Sequence, residues 1–160
     1  MDIKIPYTPR KHQRLLHQQI DKHRWSVLVC HRRFGKTVCM INHLIKSALT
    51  CKEKNPRFAY LAPTFKQAKS IAWDYMKQFT DKIPNTKFNE TELRVDLPNG
   101  ARITLLGSDS PDGLRGIYLD GCVIDEYANV NSKLFPEIIR PALSDRKGYC
   151  VFIGTPAGMN

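Results

Sequence analysis

The sequence predicts an α/β fold, a mostly parallel sheet flanked by helices, and three observations predict it. A short apolar run, Val27-Leu28-Val29-Cys30, leads through His31-Arg32-Arg33-Phe34 into Gly35-Lys36-Thr37 and a helical pattern. A second apolar run stops at Pro63 and gives way to another helical pattern. A third, Gly121-Cys122-Val123-Ile124, ends in Asp125-Glu126. Strand and helix in alternation imply parallel pairing with right-handed crossovers.

With 160 residues and 42% hydrophobic content the chain can bury one core, so residues 1–160 read as a single domain. The formal charge of +10 favours an anionic partner such as nucleic acid. A membrane partner is not expected, because no basic amphipathic helix with a broad apolar face stands out. The five cysteines are odd in number, widely spaced and mostly set in apolar runs, and read as small buried hydrophobes in a reducing compartment. None has the spacing of a zinc site. The start, Met1-Asp2-Ile3-Lys4-Ile5-Pro6, lacks the apolar centre of a signal peptide, and no run approaches the roughly 18 residues of a membrane span. A cytosolic location is expected.

Residues 1–24 carry six basic side chains, two acidic ones and three histidines. Leu15, Leu16 and Ile20 stand at helical spacing over 10–20, with Thr8 suited to the N-cap and Pro9 to the first turn. The Gln13 amide suits the N6/N7 edge of adenine and Tyr7 offers a ring for stacking; a solvated Gln on a basic helix fits this segment equally well.

The run from Val27 then reads as a short buried strand. The helix after it, over about 36–50, carries Val38, Met40, Ile41, Leu44 and Ile45. A loop of this form wraps a β-phosphate in backbone N–H groups and adds the positive end of a helix dipole. Lys36 would reach the β/γ oxygens and the Thr37 hydroxyl a Mg²⁺ ion. The full pattern G-x-x-x-x-G-K-[ST] asks for Gly where Cys30 stands.

After a polar loop at 51–56, residues 57–62 read as a strand. Thr64 caps a helix with Ala68, Ile71, Ala72, Tyr75, Met76 and Phe79 at core spacing. The alternating runs on either side of Asn99-Gly100 predict a β-hairpin, on which Arg94 and Arg102 share a face. Gly107 to Gly113 departs from the calcium-loop order and reads as a turn. Asp125 and Glu126 fall at the C-terminal edge of their strand, where open parallel sheets bind ligands. There Asp125 suits a Mg²⁺ shell and Glu126 a general base for water. The last strand, 149–153, runs into Gly154-Thr155-Pro156; a Thr155 hydroxyl sensing a γ-phosphate and a plain Gly/Pro turn both remain open.

Together these residues resemble the large terminase subunits, the ATP-driven DNA-packaging motors of tailed bacteriophages and related viruses. Arg32-Arg33-Phe34-Gly35-Lys36-Thr37 looks like the family's arginine-bearing phosphate loop, which tolerates loss of the first glycine. Leu61-Ala62-Pro63-Thr64 is similar to the motif after its second strand, Val123-Ile124-Asp125-Glu126 to its Walker B strand, and Gly154-Thr155-Pro156 to its coupling motif.

The resemblance implies an ASCE-type P-loop NTPase with an inserted β-hairpin, C-terminally truncated, that hydrolyses ATP with Mg²⁺ to move double-stranded DNA. It implies that Tyr7 and Gln13 recognise adenine and that Arg32, Arg33, Phe34, Gly35, Lys36 and Thr37 hold the phosphates. Thr37 and Asp125 would carry the metal, Glu126 would activate water and Thr155 would couple hydrolysis to movement. Arg115 becomes a candidate arginine finger and Arg33 a γ-phosphate sensor in cis. The implied partners are a homo-oligomeric ring on a viral portal and a small terminase subunit, in the cytoplasm of a bacterial host. The family's RNase H-like nuclease is expected to be absent from this chain. Two other readings stay open: a helicase-like DNA-dependent ATPase of a mobile element, and a truncated nucleotide- or DNA-binding module without turnover.

Overall fold

The computed structural model of the chain describes residues 4–29 and 35–154, apart from the side chains of Pro111 and Asp112. In chain order the elements are α1 (Lys11–Lys22), β1 (Trp25–Val29), α2 (Lys36–Thr50), β2 (Arg57–Ala62), α3 (Phe65–Ala68), a π-helical turn (Lys69–Trp73) and α4 (Asp74–Thr80). Then follow β3 (Lys87–Asn89), β4 (Arg94–Asp96), β5 (Arg102–Gly107), β6 (Gly121–Ile124), a second π-helical turn (Phe135–Ile139), α5 (Arg140–Ser144) and β7 (Tyr149–Gly154).

The strands form one sheet in the order β1-β7-β6-β2-β5-β4-β3. The first five run parallel, and β4 and β3 are added antiparallel. β7 therefore lies between the strand that leads to Gly35-Lys36-Thr37 and the strand that ends in Asp125-Glu126. The expected hairpin joins β4 to β5, with Gly100 at φ +87°, a value that glycine adopts without steric cost.

Alternation along the strands divides the core. Phe58, Tyr60, Ala62, Ile103, Leu105, Val123, Val151 and Ile153 meet α1, α2 and the α3–α4 segment on one face. Ala59, Leu61, Cys122, Ile124, Cys150 and Phe152 meet Ile138, Ile139, Ala142 and Leu143 on the other. Each large apolar side chain among them contributes roughly 1.5–3 kcal/mol by leaving water. Cys39, Cys122 and Cys150 are buried free thiols, as expected, and Cys51 is half-buried. Among the described residues no helix is long and apolar enough to cross a membrane.

Four expectations are corrected. The strand before the loop is not buried: β1 pairs only with β7 among the described strands, and Val27 and Val29 on its open face are 70% and 67% exposed. Helix α1 begins later than a Thr8 cap would allow, because the Gln13 side chain accepts the Arg10 N–H at 2.9 Å and makes Arg10 the N-cap. Leu15 faces solvent on that helix. In the segment after Thr64, which does cap through Gln67 N–H at 3.1 Å, the π turn shifts the helical phase. Ile71 and Tyr75 turn outward and Trp73 takes the core position.

Arg94 and Arg102 do share a face, and both pair with Asp96. At the end of β5, a Cβ on Gly107 would lie 2.4 Å from Phe65 N, so only glycine lets α3 start this close to the sheet.

Candidate active site

The C-terminal ends of β2 and β6 bring three polar groups to the start of α2. The Asp125 N–H donates to Leu61 O at 2.8 Å, continuing the β6–β2 ladder one residue past the strand and fixing the carboxylate, which is buried. Glu126 follows at φ +52°, in the left-handed region that costs a non-glycine residue on the order of 1 kcal/mol. Its N–H donates back to Asp125 Oδ1 at 2.9 Å. The chain thus turns sharply, leaving the Glu126 side chain half-exposed while Asp125 stays inside.

Lys36, at the first position of α2, faces both acids: Nζ lies 3.6 Å from Asp125 Oδ1 and 3.4 Å from Glu126 Oε1. Lys36 and Glu126 are 90 residues apart in the chain, and parallel topology reunites them. Tyr60, fully buried in β2, donates its hydroxyl to Asp125 Oδ2 at 2.6 Å. Burial and the Asp125 carboxylate drive this hydroxyl well above its usual range, opposed by hydrogen bonding from Thr37. The phenol is therefore a fixed donor between Thr37 and Asp125. Sequence reasoning missed Tyr60; its one signal is a hydroxyl-bearing ring inside an otherwise apolar strand.

Gly35 caps α2 in the left-handed conformation, φ +76°, and no side chain caps the helix. Gln13 is buried, with its amide committed at both ends: Oε1 to Arg10 N–H, and Nε2 donating to Gly35 O at 3.2 Å. Tyr7 donates its hydroxyl to His17 Nε2 at 2.9 Å and packs edge-on against His17 and Phe79. Both residues thus brace the phosphate-loop helix through α1. A cleft of about 600 Å³ opens beside Gly35, Lys36 and Thr37, with Ile71, Asp74 and Tyr75 as its other wall.

Arg115 is not brought into this cleft. It is exposed beside a separate recess with Asp109, Asn131, Lys133 and Glu137. Arg32, Arg33, Phe34 and Thr155 lie outside the described residues. Thr37 and Asp125 supply hard oxygen donors joined by Tyr60, a set that fits a magnesium ion.

A family model described as terminase large subunit, T4likevirus-type, N-terminal, matches residues 29–158. The terminase large subunit of Thermus phage G20c is 29% identical over 119 residues, covering 62% of this chain and 24% of that one. The chain therefore spans about a quarter of the length of that relative. Among solved structures, a mutant of the large terminase ATPase domain of Thermus phage P74-26 superposes with a TM-score of 0.78 at 23% identity, over 98% of this chain and 68% of that one. The large terminase of another thermophilic bacteriophage, solved in complex with ADP, gives a TM-score of 0.73 at 16% identity, over 90% and 38% of the two chains. At these identities the superpositions show a shared fold.

Proposed function

This chain belongs to the terminase large subunits of the T4likevirus type, matched through their N-terminal part, and on that premise we propose that it is the ATPase portion of a viral DNA-packaging motor. The observation that carries the reading is the meeting of Lys36, Asp125 and Glu126 at the N-terminus of α2. Lys36 leaves the carboxylates to hold β/γ-phosphate oxygens, and the α2 amides bind the same anion. Thr37 and Asp125 would hold Mg²⁺, which when bound neutralises phosphate charge. Glu126, half-exposed and set outward by its backbone, takes a proton from the attacking water.

From the family resemblance come the further roles. Arg33 senses the γ-phosphate in cis, Arg32 and Phe34 belong to the loop, and Thr155 couples hydrolysis to movement. Arg115, exposed beside a recess separate from the cleft at Lys36, is the arginine finger for the nucleotide of a neighbouring subunit. The partners are double-stranded DNA, a portal-bound ring of copies and a small terminase subunit, in the host cytoplasm; Gln13 on α1, with Tyr7 just ahead of that helix, belongs to the adenine-recognition segment. Substituting Glu126→Gln should lower ATP turnover by at least ~10²-fold while ATP remains bound. Unchanged turnover, measured as phosphate release in the complete protein, would reject Glu126 as the base.

A further inference from the structure

The cleft beside Gly35, Lys36 and Thr37 has a second wall that the phosphate-loop pattern does not call for: Ser70, Ile71, Asp74 and Tyr75, from the π-helical turn and the start of α4. In an unbroken helix the apolar spacing of this segment would carry Ile71 and Tyr75 into the core. The π turn at Lys69–Trp73 gives that place to Trp73 and leaves Ile71 and Tyr75 each 39% exposed, on the cleft. Such turns interrupt the regular hydrogen-bond ladder and recur at functional sites. Leaving two large apolar side chains in water forgoes their burial, which a ligand seated in the cleft restores.

The two walls differ in chemistry. The start of α2, with its N–H donors, Lys36 and Thr37, suits phosphate. On the facing wall the Tyr75 ring stacks on Phe79, with centroids 6.5 Å apart and planes 21° apart, and Phe79 meets Tyr7 edge-on at 5.9 Å. Phe79 is buried, so this row anchors the half-exposed Tyr75 ring at the cleft. Asp74 is 94% exposed and stands 4.0 Å from Lys77. A carboxylate only accepts hydrogen bonds, so it repels phosphate and receives neutral hydroxyls. The volume of about 600 Å³ is that of a small-ligand pocket.

We propose that Asp74 and Tyr75 form the nucleoside wall of the nucleotide site: the Tyr75 ring packs on the base of a nucleoside di- or triphosphate, and the Asp74 carboxylate accepts hydrogen bonds from its ribose hydroxyls. The proposal rests on the phosphate-loop reading of Gly35-Lys36-Thr37. It also gives the π turn a use, since a regular helix would bury the ring that the base meets.

The test titrates the full chain calorimetrically with ADP, 2′,3′-dideoxy-ADP and inorganic pyrophosphate, comparing the parent with Tyr75→Ala, Tyr75→Phe, Asp74→Ala and Lys36→Ala. Tyr75→Ala should weaken ADP about tenfold, as expected for loss of one base–aromatic contact, and Tyr75→Phe should hold it. The parent should bind dideoxy-ADP about tenfold less tightly than ADP, and Asp74→Ala should bind the two alike. Neither Tyr75→Ala nor Asp74→Ala should weaken pyrophosphate. Unchanged ADP affinity in Tyr75→Ala, or a parent that binds both nucleotides equally, overturns the nucleoside wall; loss of all three ligands in Lys36→Ala then leaves the phosphate loop standing. Pyrophosphate weakened in step with ADP makes these side chains supports of the cleft and also overturns the proposal. A parent chain that binds ADP no better than Lys36→Ala overturns both readings.

Discussion

Tyr60 shows how a residue with no reactive role can set the chemistry beside it. Its hydroxyl, held in the donor state by burial and by Asp125, meets one carboxylate oxygen at 2.6 Å, which leaves the other to Glu126 N–H and Lys36. Removing only that hydroxyl, in Tyr60→Phe, keeps the ring in the core and leaves a buried carboxylate oxygen without its donor. Such a loss costs roughly 1–3 kcal/mol. Urea unfolding should register that cost, and the Mg²⁺ concentration giving half-maximal turnover should shift. A variant equal to the parent in both would mean that Asp125 does not depend on Tyr60. Glu126 works through its backbone instead: the strained φ directs two adjacent acids into different surroundings, one buried and one half-exposed.

Between α1 and α2 runs a polar chain in which His43 is buried, His17 and Tyr7 are half-buried and Asp21 is exposed. Tyr7 donates to His17 Nε2, the two Nδ1 atoms of His17 and His43 stand 2.8 Å apart, and His43 Nε2 faces Asp21 Oδ1 at 3.6 Å. With both rings neutral, His17 donates Nδ1–H to His43 Nδ1, and His43 Nε2 faces Asp21 without a hydrogen bond. Burial lowers both imidazoles, His43 to about 4; His17 and Lys46 push His43 the same way and Asp21 opposes. Cys39 Sγ lies 3.5 Å from His17 Nε2, and Tyr149 packs edge-on against His43.

Since the folded pKa is below the unfolded value of 6.5, the unfolded chain binds more protons in this window. Stability is then full above pH 6.5 and is lost as pH falls toward 4, by on the order of 3 kcal/mol for His43. Thermal midpoints from pH 7.5 to 4.5 should fall steeply, and His43→Gln should flatten the profile. An unchanged slope in that variant would assign the acid sensitivity elsewhere.

At this scale the limits of sequence reading are physical. Strands 57–62 and 149–153, the helix at 36–50 and the hairpin at Asn99-Gly100 are legible because period and turn chemistry are local. What covers a strand is not local, so β1 reads as buried although its open face has Val27 and Val29 in solvent. The phase slip at Lys69–Trp73 leaves no mark in an otherwise regular apolar pattern, which is why Ile71 and Tyr75 read as core. Lys36, Asp125 and Glu126 are legible because their chemistry is carried by short motifs.

For the whole molecule the dominant quantity is the charge of +10. If the chain tracks a duplex through its phosphates, the logarithm of its binding constant should fall linearly with that of salt, losing roughly 10³-fold or more between about 50 and 200 mM for six or more contacts. Fluorescence anisotropy with duplexes of unrelated sequence measures this, and salt-insensitive or sequence-selective binding would contradict a backbone-tracking mode. The same charge bears on β1. Among the described residues no strand pairs with its outer side, where Val27 and Val29 stand exposed, a template on which a strand of another copy can assemble. Mutual repulsion between cationic copies holds that assembly off in dilute salt. As ions screen the repulsion, colloidal stability declines, so the buffer that releases the polyanion also draws the chains together.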